Sequence, residues 1–202
     1  MKEILQIYEN TFTYQGIDCF ALSITLPGGF ASQGKKHPVD RYYKYKQKQI
    51  TNYAKKYFLP YAKKDTDAAV TGAGVFKPWL LKGTCSITYR SENYLSVLRE
   101  VTVFRGRTKY AYTAESETWD LLRKQMCPIG TFVTVGKVIK PYINEYSKRN
   151  PNLKKYPVKH FNKDNYYLTP QGIVVFYPDK KLHITITNTK DIYNRENNPQ
   201  HG

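Results

Sequence analysis

Two arginines two residues apart, Arg105 and Arg107, sit among Phe104, Tyr110 and Tyr112. A guanidinium grips carboxylate or phosphate through paired hydrogen bonds and stacks on aromatic faces, so this stretch is a candidate ligand contact. An ordinary charged hairpin turn that protects strand edges has the same composition, and both readings stand.

The second candidate chemistry is charge. From Lys35 to Lys64 ten basic residues face Asp40 alone, and from Lys137 to Lys163 eight face Glu145 alone. These two segments hold the entire net charge of +16, and the rest of the chain is neutral. Lys44, Lys48, Lys55, Lys56, Lys140 and Lys148 are the candidate surface for an anionic partner such as nucleic acid, teichoic acid or an acidic protein. Two solvated helix faces that keep the protein soluble would read the same way.

Catalytic and metal-binding patterns are not evident. His37, His160, His183 and His201 show no ligand spacing with one another or with Cys19, Cys85 and Cys127. The three cysteines form no disulfide or zinc pattern and read as buried free thiols. There is no nucleophile elbow and no phosphate-cradling glycine loop; Thr71-Gly72-Ala73-Gly74 reads as a plain loop. Asp18, Glu100 and Asp120 lack an evident partner for acid–base work. The expectation is a protein without enzymatic activity, metal or cofactor.

The elements that must position these residues follow from periodicity. Residues 11–26 are rich in Thr, Phe, Tyr and Ile, are broken by Gly16, and close at Pro27-Gly28-Gly29, which predicts an N-terminal hairpin. Ile50, Tyr53, Ala54, Tyr57 and Tyr61 recur at spacings of three and four, which predicts an amphipathic helix over 39–63 that Pro60 ends or kinks. Alternation in 84–122 predicts three or four antiparallel strands, with turns near Ser91–Asn93 and at Arg105-Gly106-Arg107. Residues 115–122 are read as strand, with Trp119 and Leu121 inward and Thr118 and Asp120 toward water. Val138, Ile139, Tyr142, Ile143 and Tyr146 predict a second helix, stopped by Asn150-Pro151. Tyr166-Tyr167-Leu168, a turn at Thr169–Gly172, Ile173–Tyr177 and a strand at His183–Thr187 complete the pattern.

The fold class expected is therefore α+β, a mainly antiparallel sheet with two amphipathic helices packed on one face. The divisions expected are an N-terminal half over 1–83, a C-terminal half over 84–187 and a mobile tail over 188–202, the halves forming one compact unit. With both apolar stripes turned to the sheet, the lysines would share one positive surface.

The run Ser86–Tyr112, then Ser116–Leu121, then Pro128-Ile129-Gly130-Thr131-Phe132 leading into a helix, then Asn165–Tyr177, resembles the sensor domain of RsiV-type anti-sigma factors. The same order resembles the region preceding the catalytic domain of some peptidoglycan deacetylases. The resemblance covers roughly 84–187. It implies a bacterial, non-catalytic module that binds a macromolecule, lysozyme in the best-known case. A domain of +16 meets a basic animal-type lysozyme against like charge, so the binding character carries over and that ligand does not.

The partner expected is a protein or an anionic cell-wall polymer, with nucleic acid as the alternative; oligomeric state stays open. Met1–Asn10 carries no apolar run fit for a signal peptide and no stretch approaches a membrane span, so the chain reads as cytoplasmic, or as extracellular if a leader or anchor has been removed.

Overall fold

The computed structural model describes residues 4–30 and 37–187. The tail expected to be mobile lies outside them. Nine strands and the helices between them make an α+β fold, largely antiparallel, in a six-stranded sheet of order β1-β2-β3-β4-β5-β6 and a three-stranded sheet of order β7-β8-β9. The chain divides into two compact units, Met1–Cys85 with Arg99–Thr113, and Ser86–Leu98 with Ala114–Gly202. Three long strands, β3 (Trp79–Arg90), β4 (Tyr94–Arg105) and β5 (Thr108–Asp120), contribute to both units.

In the first unit, β1 (Ile4–Tyr14) and β2 (Ile17–Gly28) form the expected hairpin, which begins earlier than its composition suggested. Gln15 and Gly16 both have positive φ, 50° and 75°, as the two-residue turn that matches strand twist requires. Phe20, Leu22, Ile24 and Leu26 are buried along one face of β2. β2 then pairs in parallel with β3, Phe20 opposite Trp79 and Leu22 opposite Leu81. Parallel neighbours need a crossover, and helices α1 (Pro38–Tyr57) and α2 (Leu59–Val70) supply it.

The single helix expected over 39–63 is thus two helices, parted at Phe58 and continuing to Val70. Pro60 explains the break. Its ring crowds the carbonyl four residues back and it has no N–H to donate, so it fits in the first turn of a new helix and not inside an old one. His37 caps α1, its Nδ1 accepting from the Val39 amide at 3.3 Å.

The inward stripe also differs from expectation. Val39, Tyr43 and Ala54 of α1, then Phe58, Ala62 and Thr66, are buried, while Tyr53, Tyr57 and Tyr61 remain 53%, 45% and 54% exposed. Ile50 is half-buried. The small residues Ala54 and Ala62 let the helix backbone approach the strands, which places the neighbouring tyrosine row at the margin.

In the second unit, a π-helical turn, Val135–Ile139, leads into α3 (Lys140–Arg149), which ends at Asn150 as expected. Ile139 and Ile143 enter a core with Phe132, Leu168, Ile173 and Ile184. The meander β7 (Tyr166–Thr169), β8 (Gly172–Tyr177) and β9 (Leu182–Ile186) matches the sequence expectation, and β8, its middle strand, is buried at every residue.

β5 does run through 115–120, but Thr118 and Asp120 do not face water: Glu117, Thr118, Trp119 and Asp120 are all buried. Both faces of this stretch are occupied. The two-residue strand β6 (Gln125–Met126) pairs with Asp120 and Trp119, the Cys127 amide donates to the Thr118 carbonyl at 2.8 Å, and Asp120 accepts from the Arg123 amide at 2.7 Å. Ser96 Oγ, fully buried, lies 2.9 Å from Thr118 Oγ1 and accepts from the Leu168 amide at 2.9 Å. Ser116 Oγ donates to the Tyr166 carbonyl. Two serines of the long strands therefore hold the backbone of β7. Ser96→Ala strands the buried Leu168 N–H and is expected to cost about 1–3 kcal/mol in urea denaturation, whereas Ser116→Ala, at a half-buried site, should cost less.

The three cysteines form no disulfide and are buried. Cys19 Sγ donates to the Phe12 carbonyl at 3.3 Å, and burial pushes the Cys127 thiol up to about 11. No described helix is long and apolar enough to cross a membrane.

Candidate ligand-binding surface

The break between α1 and α2 gathers aromatic rings at one margin of the first unit. Phe58, at the joint, lies 6.1 Å from Trp79 of β3 and 6.3 Å from Tyr110 of β5. Trp79 is 2% exposed and is the hub. Tyr61 stacks on it at 6.0 Å and 20°, and Tyr110 meets it edge-on at 4.9 Å. Tyr53 and Tyr57 extend the row along α1, their rings 4.6 Å apart. Tyr110 is 53% exposed, so two half-exposed tyrosines, Tyr61 and Tyr110, pack against a buried tryptophan.

An ion pair fixes the hub. Asp65 of α2 accepts from Trp79 Nε1 at 2.8 Å and from Arg105 Nε and Nη2 at 2.7 and 2.6 Å. The Arg105 guanidinium also lies 5.9 Å from the Trp79 ring. Burial would raise the Asp65 carboxyl, but the hydrogen bonds from Arg105 and Trp79 and the arginine charge outweigh it and hold the group below the usual carboxylate range. A depressed carboxyl contributes stability that is present above its ordinary pKa and is lost as pH falls through its folded value. Asp65→Asn is therefore expected to be less stable than the native chain by about 1–3 kcal/mol at pH 7. That gap should close as pH drops below about 4, checked by thermal melts across pH.

This geometry revises the clamp expected from Arg105 and Arg107. Arg105 is spoken for by the protein's own carboxylate, so its paired donors are not offered to a ligand. Arg107 is exposed in the turn whose Gly106 has φ 59°, and Phe104 is half-buried. Tyr112 donates to Glu100 at 2.5 Å and carries Lys109 Nζ 4.1 Å over its ring. Burial first, then that hydrogen bond, drives the Tyr112 hydroxyl up. Of the five residues proposed from sequence, Arg105 and Tyr110 join the aromatic cluster. The residues missed are Asp65, Trp79, Tyr53, Tyr57 and Tyr61. The tyrosine row at spacing four is visible in the sequence, where it reads as core.

Lys44, Lys48, Lys55 and Lys56 are all exposed on α1, as are Lys140 and Lys148 on α3. On an ideal helix Arg41, Lys44, Lys48 and Lys55 fall within about 60° of arc, opposite the buried stripe. Lys55 Nζ lies 5.4 Å over Phe12 and Lys63 Nζ 5.0 Å over Tyr14, both on β1, so the basic stripe runs along the β1 side of the helices and the tyrosine row along the β3–β5 side. Lys56 Nζ sits 5.1 Å over the Tyr57 ring. Because α1 belongs to the first unit and α3 to the second, the two basic segments are properties of different units.

In the second unit a shallow cavity of about 290 Å³ is lined by Asn152, Leu153, Lys154, Tyr156 and Lys180. The Tyr156 hydroxyl donates to Asp179, and its ring stacks on His160 at 4.4 Å. Among the described residues no group of three His, Cys, Asp or Glu side chains is placed to hold a metal.

No family model matches the chain, and no curated protein matches it in sequence. Solved structures do. A member of the DUF3298 family from Bacteroides fragilis NCTC 9343 superposes with a TM-score of 0.62 at 11% identity, over 96% of this chain and 92% of that one. A DUF3298 family protein from Pseudomonas aeruginosa PAO1 does so with 0.51 at 11% identity, over 97% and 92%. At such identity the likeness is one of architecture, and this chain is similar in fold, end to end, to DUF3298 family structures.

Proposed function

We propose that the chain is a non-catalytic binding module of the sensor type, and that its first unit holds an anionic polymer against the basic stripe of α1. The observation that carries the reading is the placement of Arg41, Lys44, Lys48 and Lys55 on one exposed arc of a helix whose only carboxylate, Asp40, is turned aside to accept from the Phe30 amide at 3.2 Å. Cations side by side repel one another, and a polyanion relieves that repulsion while releasing its own counterions.

Two further observations support it. The motif order of 84–187 resembles the sensor domain of RsiV-type anti-sigma factors, and the fold is similar to DUF3298 structures. Among the described residues the two carboxylates held below their usual range, Asp65 and Asp179, are each tied to a neighbour, Arg105 with Trp79 in one case and Tyr156 in the other, a use that suits a binding module. Teichoic acid and nucleic acid offer the same phosphodiester chemistry, and a basic lysozyme is disfavoured by the charge.

The test is titration with inorganic polyphosphate at increasing salt. Three or more lysine–phosphate contacts predict a log–log slope steeper than about −2. A flat dependence, or no binding at low salt, overturns the reading.

A further inference from the structure

Resting on that reading, we infer that the anionic polymer is an acidic polypeptide segment, which pairs as an added strand with the outer edge of β1 while its carboxylates meet the lysines beside that edge. β1 is the outermost strand of its sheet, and among the described residues β2 is its one strand neighbour. In an antiparallel pair every second residue turns its N–H and C=O away from the partner. Over residues 4–14 those outward groups make no hydrogen bond with any described residue. Natural edges are blunted by lysine, by proline or by a short strand, but β1 runs for 11 residues with neither lysine nor proline and carries the single charge of Glu9. Leu5 and Ile7, 44% and 67% exposed, lie on one face of it.

The cations lie on its other face. Phe12 stacks on the buried Phe20 at 5.6 Å, which puts Phe12 and Tyr14 on the helical side and Leu5, Ile7 and Glu9, of opposite parity, on the far side. Lys55 and Lys63 stand over those two rings. Phe12 and Tyr14 are one strand repeat apart, about 7 Å, and an added strand runs about 5 Å further out, within the reach of a lysine side chain. Alternate side chains of that strand therefore face ammonium groups. α1 begins near Tyr8, whose hydroxyl is pushed up by burial first and then by Asp40, and it ends near Phe12, so the stretch carrying Lys44 and Lys48 lies along the same strand. A segment alternating Glu with Val fits both faces, carboxylates toward the lysines and apolar groups beside Leu5 and Ile7. Nucleic and teichoic acids satisfy the cations but have no peptide ladder to offer the edge. A second copy of the chain has the ladder, but it brings a second basic stripe against the first.

The experiment titrates the full chain with a fluorescein-labelled peptide of about ten residues alternating Glu and Val, long enough to line β1, and reads anisotropy. A peptide of the same composition with its glutamates in one block is expected to bind about fivefold more weakly. Two further peptides carry N-methyl groups on every Glu or on every Val. One of them, which loses its hydrogen bonds to β1, should bind about tenfold more weakly or worse, and the other, methylated on the open side, should bind as the parent does. Amide hydrogen exchange should slow at alternate residues of β1 on binding. Lys55→Gln/Lys63→Gln should weaken the alternating peptide about fivefold, with its melting temperature reporting whether it folds. Equal binding of alternating and blocked peptides, equal effects of the two methylations, unslowed exchange in β1 or unchanged affinity of the lysine variant overturns this inference, while polyphosphate binding keeps the polyanion reading. Failure of peptide and polyphosphate together overturns both. Slow exchange along the outer edge of β1 in the unliganded chain, with a sedimentation mass of two copies, assigns the edge to self-pairing and overturns it as well.

Discussion

Trp79→Ala is expected to destabilise the protein by about 3–5 kcal/mol, a large share of the 5–15 kcal/mol that holds a typical domain together. The indole is 2% exposed and touches Phe58, Tyr61 and Tyr110. Removing it opens a cavity at the joint between α1 and α2 and costs Asp65 one of its donors. Trp79→Phe keeps most of the ring and leaves Arg105 on Asp65, so it should cost about 1 kcal/mol, the worth of one hydrogen bond. Urea denaturation of both variants checks the order. A loss below about 1 kcal/mol for alanine would show that the aromatic cluster is decoration on an independently stable core.

The second large effect is on binding. Reversing Lys48, Lys55 and Lys56 to glutamate turns attraction into repulsion at three sites, and polyphosphate affinity is expected to fall about 100-fold or more at low salt. The variant is not neutral for stability. Lys55 and Lys56 lie in the last turn of α1, where the helix dipole favours cations, and Lys55 sits over Phe12. These losses amount to about 1–2 kcal/mol, or roughly 5 °C in melting temperature for a chain of this size. Lys44→Glu/Lys48→Glu, in the body of the helix, carries neither penalty and should weaken binding about tenfold with an unchanged melt. Unchanged affinity in both variants would assign the charge to solubility.

Elements were legible in the sequence where a period repeated against one covered face. The hairpin at Gly16, the turn at Gly106, the helix containing Ile143, and the meander from Tyr166 to Ile186 all read that way. Direction failed where residue type was ambiguous. Tyrosine has an apolar body and a polar tip, so the row Tyr53, Tyr57, Tyr61 and the row Ala54, Phe58, Ala62 one position along are both plausible cores, and the choice falls to how closely the backbone can approach the strands. Thr118 and Asp120 read as wet because alternation assumes one open face, and nothing local announces that β6 and the Cys127 amide close the other. The hub of the candidate surface was illegible for a different reason. Asp65 and Arg105 are forty residues apart, and a contact of that separation leaves no trace in spacing.

The buried thiols turn the molecule into its own opening gauge. Thiolate is the reactive form, and a thiol shut from water and pushed to high pKa, as Cys127 is, meets an alkylating reagent only when the surrounding structure parts. Cys19 on β2 reports on the first unit and Cys127 on the second, with Cys85 on β3 at the residue where one unit's share of that strand ends. Labelling in dilute denaturant, followed by mass spectrometry, would yield three clocks from one sample. Equal rates would mean that strands common to both units force a single all-or-none opening; a faster Cys19 would mean that the first unit breathes while the rest stays shut.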